Sequence, residues 1–515
     1  MNIVDSLRKW SELTPDKDAI IDWDRNARVS FSELLYRAEA LASGLSLSGL
    51  KKGDRVAILS TNRSEYFEIY YACALAGFIA QPINWRLAAE EISRIIEDGT
   101  PKVLICEDQF LDIWAEIKTK IASSLICVEI GSDSNGSYEA LLNQPDRADQ
   151  IFDVGAHDPV LILYTGGTTG LSKGALHTHH SLYMGMLNQT VAERIVPTDV
   201  YMLTGQMFHI PVALAMNYLA HGCSCVLINF EARKALEAIE KEKVSAFLGI
   251  TTMLNWMMAE KDFEKFDLSS LRNIQYGGGP MPSSVVKAAL ESFPCTLIQG
   301  YGQTEGMTMT FLSQEDHQNA VQGIKEKRLS SCGRPGFVTE VSVVDTDGKP
   351  VPKDGSTSGE IIIKSEANMV GYWQKPDLTA ETIKNGWMWT GDIACWDEDG
   401  YLFIIDRAKD MIISGGENIY STQVEAAIHN HTGVLECAVI GVPDVEWGES
   451  VKAVVVMKPG ERASEQAIID AARRSLASYQ KPKFVEFRDS LPKAPTGKIL
   501  KRELRDPHWS DGKKI

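Results

Sequence analysis

Residues 164–175 read Tyr164-Thr165-Gly166-Gly167-Thr168-Thr169-Gly170-Leu171-Ser172-Lys173-Gly174-Ala175, directly after the apolar run Val160-Leu161-Ile162-Leu163. The segment is built to hold phosphate. Bare backbone at glycine leaves amide N–H groups free to face an anion, the threonine hydroxyls are donors, and Lys173 is a compact positive charge. Its place after an apolar run predicts a strand-to-helix turn at the carboxyl end of a strand, where ligands sit in α/β folds.

The Walker pattern GxxxxGK[ST] is not met, because Leu171 follows Gly170 and Gly174 follows Lys173. A kinase-type reading therefore fails at its lysine. The chain of 515 residues is long enough for two or more domains. A formal net charge of −17 argues against nucleic-acid binding, so any nucleotide must meet a local cationic pocket. No run of about 18 apolar residues predicts a membrane span. Nine scattered cysteines without a CxxC fit a reducing, cytoplasmic setting. The close pair Cys223 and Cys225 reads as small core residues rather than metal ligands.

Ser30-Phe31-Ser32-Glu33 has the form of a capping box, and Leu35, Ala38, Leu41 and Leu45 follow at helical spacing. Short apolar runs at 56–59, 103–106, 125–128 and 160–163 alternate with helical stretches, which predicts an α/β fold with largely parallel sheets. From about residue 331 a β-rich region begins, with strands at 340–345 and 360–364. After Asp406-Arg407 come strands at 412–413, 437–442, 453–457 and 483–487 and a helix at 465–476, enough for an α+β carboxy-terminal domain. The expected division is 1–406 and 407–515.

Two further segments suit a nucleotide. Gly277-Gly278-Gly279-Pro280 precedes Gln299-Gly300-Tyr301-Gly302-Gln303-Thr304-Glu305. Bare backbone and Tyr301 can sandwich a base, Thr304 can donate to phosphate, and Glu305 can hold Mg²⁺, which prefers carboxylate and phosphate oxygens.

With Thr390-Gly391-Asp392, the string from Asp406 to Asn418 (DRAKDMIISGGEN) and Pro495-Thr496-Gly497-Lys498-Ile499-Leu500-Lys501 in this order, the chain resembles the adenylate-forming enzymes. These are acyl- and aryl-CoA synthetases, luciferases and peptide-synthetase adenylation domains, and length and spacing look most like the acyl-CoA synthetases. The resemblance implies ATP, Mg²⁺ and CoA, an acyl-adenylate intermediate, and a small domain that rotates about Lys409. It implies that Lys498 bridges carboxylate and phosphate during adenylation, with Thr304 and His209 as further catalytic positions, and that Asp392 and Arg407 meet the ribose. Met207, His209, Leu248, Thr251, Met253, Trp256, Gly278 and Met307 fall where the acyl pocket is lined. Arg86, Gly415, Gly416, Glu417, Trp447, Tyr479, Lys481 and Lys483 fall where CoA is met. Histidine at 209 rather than aspartate implies a substrate without an amino group, and the methionines imply an apolar aliphatic or aryl acid. Gly166 and Ser172 depart from the usual TSGTTGxPKG, which removes one hydroxyl and loosens the loop. Rival readings are acyl transfer to a carrier-protein phosphopantetheine or to oxygen, and a catalytically silent nucleotide-binding protein. A homodimer is compatible with this sequence.

Overall fold

The computed structural model describes residues 2–121, 125–131, 136–144, 153–165, 172–279, 281–415, 417–477, 479–493 and 499–509. They divide into two compact units, one built from Met1–Thr165, Ser172–Val341 and Ile363–Met388, the other including Ser342–Ile362 and Trp389–Ile515.

The first unit holds two large sheets. In the nine-stranded sheet the order is Arg334–Pro335, Met307–Leu312, Thr296–Gln303, Asn273–Gly277, Ala246–Leu248, Val200–Leu203, Ser224–Leu227, Asp18–Asp22 and Ala27–Ser30. Thr296–Gln303 through Asp18–Asp22 run parallel, and antiparallel strands close both edges. In the seven-stranded sheet Pro159–Thr165, Ile79–Pro82, Arg55–Leu59, Val103–Glu107 and Ile126–Ile130 run parallel. The expected α/β class with parallel sheets is what forms, because continuous Val/Ile/Leu runs suit strands covered on both faces.

Helix placement follows the sequence closely at its starts. Ser30 caps the helix Phe31–Leu47 by accepting from the Glu33 N–H at 3.2 Å. Its buried stripe is Leu34, Ala38, Leu41 and Leu45, while Leu35 is half-buried. Cys223 and Cys225 are fully buried in the core.

One expectation is corrected. The phosphate-type segment does not lead from a strand into a helix: Pro159–Thr165 pairs antiparallel with Lys173–Thr178, with Thr165 opposite Lys173. The helix begins only at His179, capped by Thr178, whose hydroxyl accepts from the Ser181 N–H at 3.1 Å. Ala175 and His177 face the interior with Gly174 and Thr178 also covered, so a second strand buries this stretch where a helix would have exposed part of it.

In the second unit Leu402–Arg407 runs antiparallel to Trp387–Trp396. The strands expected near 340 and 360 are Thr339–Val344 and Gly359–Ser365. The carboxy-terminal sheet has the order Glu417–Ile419, Ile412–Ser414, Gly448–Met457 and Val434–Asp444, with Phe484–Phe487 parallel to Gly448–Met457. The helix Glu465–Arg473 packs Ile468 and Ala472 into the core of this sheet. Among the described residues no helix is long and apolar enough to cross a membrane.

Glu193 ends the helix His179–Glu193 in full burial, accepting from Tyr218 Oη at 2.7 Å and from the Gln275 side-chain amide. Burial pushes its carboxyl up to about 8, well above an unfolded value near ~4.3. A raised folded value means stability is greatest below the unfolded value and falls as pH rises toward 8. Calorimetry of Glu193→Gln should give a flatter melting profile from pH 5 to 8 and a melting temperature roughly 2–4 °C above the unsubstituted protein at pH 8.

Candidate active site

The parallel strands Asn273–Gly277 and Thr296–Gln303 bring the triple glycine beside the YGQTE segment, with Gly277 opposite Gly300. A Cβ at Gly277 would collide with the Gly300 carbonyl oxygen, so the close approach of these two backbones requires glycine. Gly278 has φ of +75° and opens onto empty space, and Gly279 likewise has open space beside it. Tyr301 is nearly covered, opposite Thr310, and Gly302 passes hard against the Met307 carbonyl. Gln299 carries a buried Oε1 with no hydrogen-bond partner among the described residues. These residues form one platform of two strand ends.

Glu305 lies in the turn between Thr296–Gln303 and Met307–Leu312, not at a helix start. Its Oε1 accepts from Tyr372 Oη at 2.7 Å, and its backbone carbonyl accepts from the Met369 N–H at 2.7 Å. The Lys173 ammonium stands over the ring of the same tyrosine, 5.3 Å from its centroid. The neighbouring Thr304 carbonyl accepts from His177 Nε2 at 2.8 Å. Burial pushes the His177 pKa down to about 4, so the ring is neutral at pH 7. A carbonyl can only accept, so the proton sits on Nε2 and Nδ1 receives the Ser181 hydroxyl at 3.3 Å. The strand carrying Lys173 and the turn carrying Thr304 and Glu305 are thereby pinned together.

The other arm of the hairpin is fixed separately. Tyr164 Oη donates to Asp98 Oδ2 at 2.8 Å, and Lys375 pairs with the second oxygen of Asp98. Thr165 and Lys173 are thus placed opposite one another on anchored strands. Gly166, Gly167, Thr168, Thr169 and Gly170 lie outside the described residues, as do Gly416 and Lys498.

Tyr372, Asp98, Lys375 and His177 were not legible as site residues. Tyr372 and Glu305 are 67 positions apart, and Asp98 and Lys375 are 277 apart, so no local spacing links them.

On the acyl side, Met207 is fully buried and Met307 nearly so, the latter with φ of +57°. His209 is half-buried, no described residue hydrogen-bonds its ring, and burial pushes its pKa down. Leu248 accepts through its carbonyl from the Thr204 hydroxyl. Thr251 and Met253 are half-covered on the helix Thr251–Met258. Trp256 is 60% exposed and stacked on Phe230 at 6.5 Å, while that helix buries Leu254 and Met257.

The second unit holds the remaining candidates. Asp392 and Arg407 are partners in the ladder, joined at 2.6 Å with the carboxylate buried. The Lys409 carbonyl accepts from Arg505 Nη1 at 2.9 Å. Asp444 collects several CoA candidates: it accepts from the Trp447 N–H at 3.2 Å and from Lys483 Nζ at 2.6 Å, while the Gly415 N–H donates to the Trp447 carbonyl at 2.8 Å. Glu417 is opposite Ser414 in a hairpin. Tyr479 is exposed and Lys481 half-buried, both apart from this cluster's hydrogen bonds. In the first unit Arg86 is exposed, its guanidinium 5.0 Å from the Trp85 ring centroid.

Among the described residues no three His, Cys, Asp or Glu side chains converge as a metal cluster. Glu305 offers a single carboxylate beside a cation. That donor set fits Mg²⁺, which keeps several waters and takes its other oxygens from substrate phosphates.

A large α/β unit with glycine-backed strand ends, an anchored hairpin and a lysine and a carboxylate bridged by one tyrosine defines a nucleotide-binding enzyme. Residues 7–373 match the AMP-binding enzyme family and residues 423–498 the AMP-binding enzyme C-terminal domain, and the chain belongs to this family. It is similar to a feruloyl-CoA synthase of an Amycolatopsis species, 37% identical over 481 residues covering 93% of each chain. It is also similar to the fatty acid–[acyl-carrier-protein] ligase ScoC of Streptomyces coeruleorubidus, 34% identical, covering 94% of this chain and 92% of the other. Among solved structures, ATP-bound MatB from Rhodopseudomonas palustris superposes with a TM-score of 0.85 at 28% identity over 100% of both chains.

Tyr372→Phe keeps the ring under Lys173 and removes the donor to Glu305. The expected outcome is a rise of roughly ten- to a hundredfold in KM for ATP, the size of one lost hydrogen bond to a charged group. Initial rates at saturating acid, with the melting temperature unchanged, check it.

Proposed function

We propose that this enzyme is an ATP-dependent carboxylic acid–CoA ligase that works through an acyl-adenylate and releases AMP and pyrophosphate. The observation that carries the reading is the convergence of Lys173, Tyr372 and Glu305 on the anchored hairpin, within a chain of the AMP-binding family.

In the first half-reaction a carboxylate oxygen attacks the α-phosphorus of ATP, and the bond from that phosphorus to the bridging oxygen breaks. Both reactants are anions, so positioned cations and donors dominate the barrier. Lys173 and the hydroxyls of Thr165, Thr168 and Thr169 hold the polyphosphate, with Gly166, Gly167 and Gly170 supplying backbone N–H groups. Gly277, Gly278 and Gly279 with Gln299, Gly300, Tyr301, Gly302 and Gln303 flank the adenine, and Thr304 donates to phosphate. Asp392 and Arg407, already paired, present carboxylate and guanidinium oxygen and nitrogen atoms to the ribose. Lys498 supplies the charge that bridges the two reactants. Glu305 would hold Mg²⁺, which adds charge neutralisation at the phosphates when bound.

In the second half-reaction the CoA sulfur attacks the acyl carbon and AMP leaves. Rotation of residues 407–515 about Lys409 exchanges Lys498 for the Gly415-Gly416-Glu417 face. Arg86, Trp447, Tyr479, Lys481 and Lys483 then meet CoA. The acid is apolar, aliphatic or aryl: Met207, Met253, Met307, Thr251 and Gly278 line its pocket, with His209 near its carboxylate. Similarity to a feruloyl-CoA synthase supports CoA as acceptor, and similarity to a fatty acid–[acyl-carrier-protein] ligase supports an apolar acid. The reading places the enzyme in the cytoplasm.

AMP formation from a panel of aliphatic, aryl and hydroxylated acids tests this. It should depend on free CoA and favour apolar acids; AMP release that needs a carrier protein instead would replace CoA as acceptor. Lys498→Ala should slow adenylation by roughly 10²–10³ while sparing thioester formation from supplied acyl-adenylate. Equal losses in both half-reactions would remove Lys498 from this role.

A further inference from the structure

The segment that leads to His209 is gripped at three consecutive residues by side chains from the loops after two strands of the other sheet and from the helix Glu65–Ala76. Asn62 follows the strand Arg55–Leu59 of the seven-stranded sheet, and its side chain is 2% exposed. Its Nδ2 donates to the Gly205 carbonyl at 2.7 Å and its Oδ1 accepts from the Met207 N–H at 2.9 Å, so one amide spans Gln206 as a strand partner would. The same Nδ2 also reaches the Ile228 carbonyl at 3.2 Å. Tyr70 Oη donates to the Met207 carbonyl at 3.1 Å, and Trp85 Nε1 donates to Gln206 Oε1 at 3.1 Å. The Gln206 carbonyl in turn accepts from the His209 N–H at 3.2 Å, closing the turn that presents the histidine, and the helix Pro211–Ala220 starts directly after.

The grip is itself braced. Glu107 Oε2 accepts from the Thr61 N–H at 2.8 Å and from the Ser60 and Thr61 hydroxyls at 2.9 Å each. Its other oxygen takes Arg25 at 3.1 Å and Arg63 at 3.4 Å. Arg25 Nη1 also donates to the Asn62 carbonyl at 3.0 Å. Burial alone would raise the Glu107 pKa, but the Thr61 hydrogen bonds and Arg63 outweigh it and hold the carboxyl below its ordinary value. An ionised Glu107 therefore fixes the loop that carries Asn62. A buried polar network satisfied to this degree rigidifies what it touches.

We propose that Asn62, Tyr70 and Trp85 are positioning residues for the acid substrate: they fix the backbone at 205–207 and through it the place of His209. The inference rests on the reading of residues 207–209 as the end of the pocket that takes the substrate carboxylate. None of the three is offered as touching the reacting atoms. Their effect reaches the acid through a turn of four residues, so a small displacement there costs alignment of the attacking carboxylate rather than nucleotide binding.

Acid-dependent exchange of pyrophosphate into ATP reads the first half-reaction alone. With the best acid of the panel, Tyr70→Phe should raise KM for the acid roughly three- to tenfold and Asn62→Ala roughly tenfold or more, with KM for ATP within about twofold of the unsubstituted enzyme. Tyr70→Phe keeps the buried ring and loses one hydroxyl, so it decides the matter if Asn62→Ala fails to fold. His209→Ala is the control. If it raises KM for the acid while Tyr70→Phe and Asn62→Ala do not, the positioning role is overturned and the pocket stands. If none of the three variants moves it, the pocket reading falls and takes the inference with it. Parallel rises in both KM values with a lowered melting temperature would show a role in stability only and overturn the proposal.

Discussion

Tyr372 stands between a cation and an anion: its ring faces the Lys173 ammonium and its hydroxyl donates to Glu305. An ammonium over an aromatic face is held by the ring quadrupole without being neutralised, so it keeps its charge for a ligand. A carboxylate beside it that accepted a lysine directly would form an ion pair and leave neither group to spare. The phenol separates the two while fixing both, and it is fixed in turn by its place in the strand Gly371–Tyr372, opposite Ala175. Much of the remaining local architecture serves this spacing. His177 ties the lysine strand to the Thr304 turn, and Asp98 secures Tyr164 at the start of the hairpin.

The same separation of tasks runs through the larger unit. Two sheets end in loops that carry the candidate groups, and beside the shared apolar core the buried Asn62 amide, after a strand of the seven-stranded sheet, braces the 205–207 loop of the other, with Glu107 holding the Asn62 loop in place. Asn62 and Glu107 show the cost such groups must offset, since each would be expensive to bury without partners. Both are fully engaged, and their polar contacts fall at strand ends and the segments that follow them. Apolar cores fill the sheet faces behind them.

Local residue order was enough for the class of fold and for the strand and helix positions that carry their own signal, such as the Ser30 cap and the apolar runs at 56–59 and 103–106. The two glycine segments were legible as motifs, but the constraint that requires glycine at 277 is the Gly300 carbonyl on the neighbouring strand, which no local spacing reveals. The second strand of the hairpin was misread because Gly174 to Thr178 lacks an apolar run, and its burial depends on Tyr372 and Met369, nearly two hundred positions later. Tyr372 itself lacks any local mark of its role, since a Gly-Tyr pair before a tryptophan is ordinary in sequence.

Lys173 is the cation that the anchored hairpin itself carries, held over the Tyr372 ring. The overall charge of −17 repels a polyphosphate at long range. Within the Debye length, about 8 Å at physiological salt, a single well-placed lysine outweighs that field. Permanent cations in number would hold the product nucleotide as firmly as the substrate. On the function proposed, a site that takes one charge from its hairpin and the others from Mg²⁺ and a rotating domain would lose the second set between half-reactions. On the same proposal, Lys173 in the first unit and the motif around Lys498 in the second would be two halves of one electrostatic requirement: strong attraction during adenylation and weak attraction when AMP must leave.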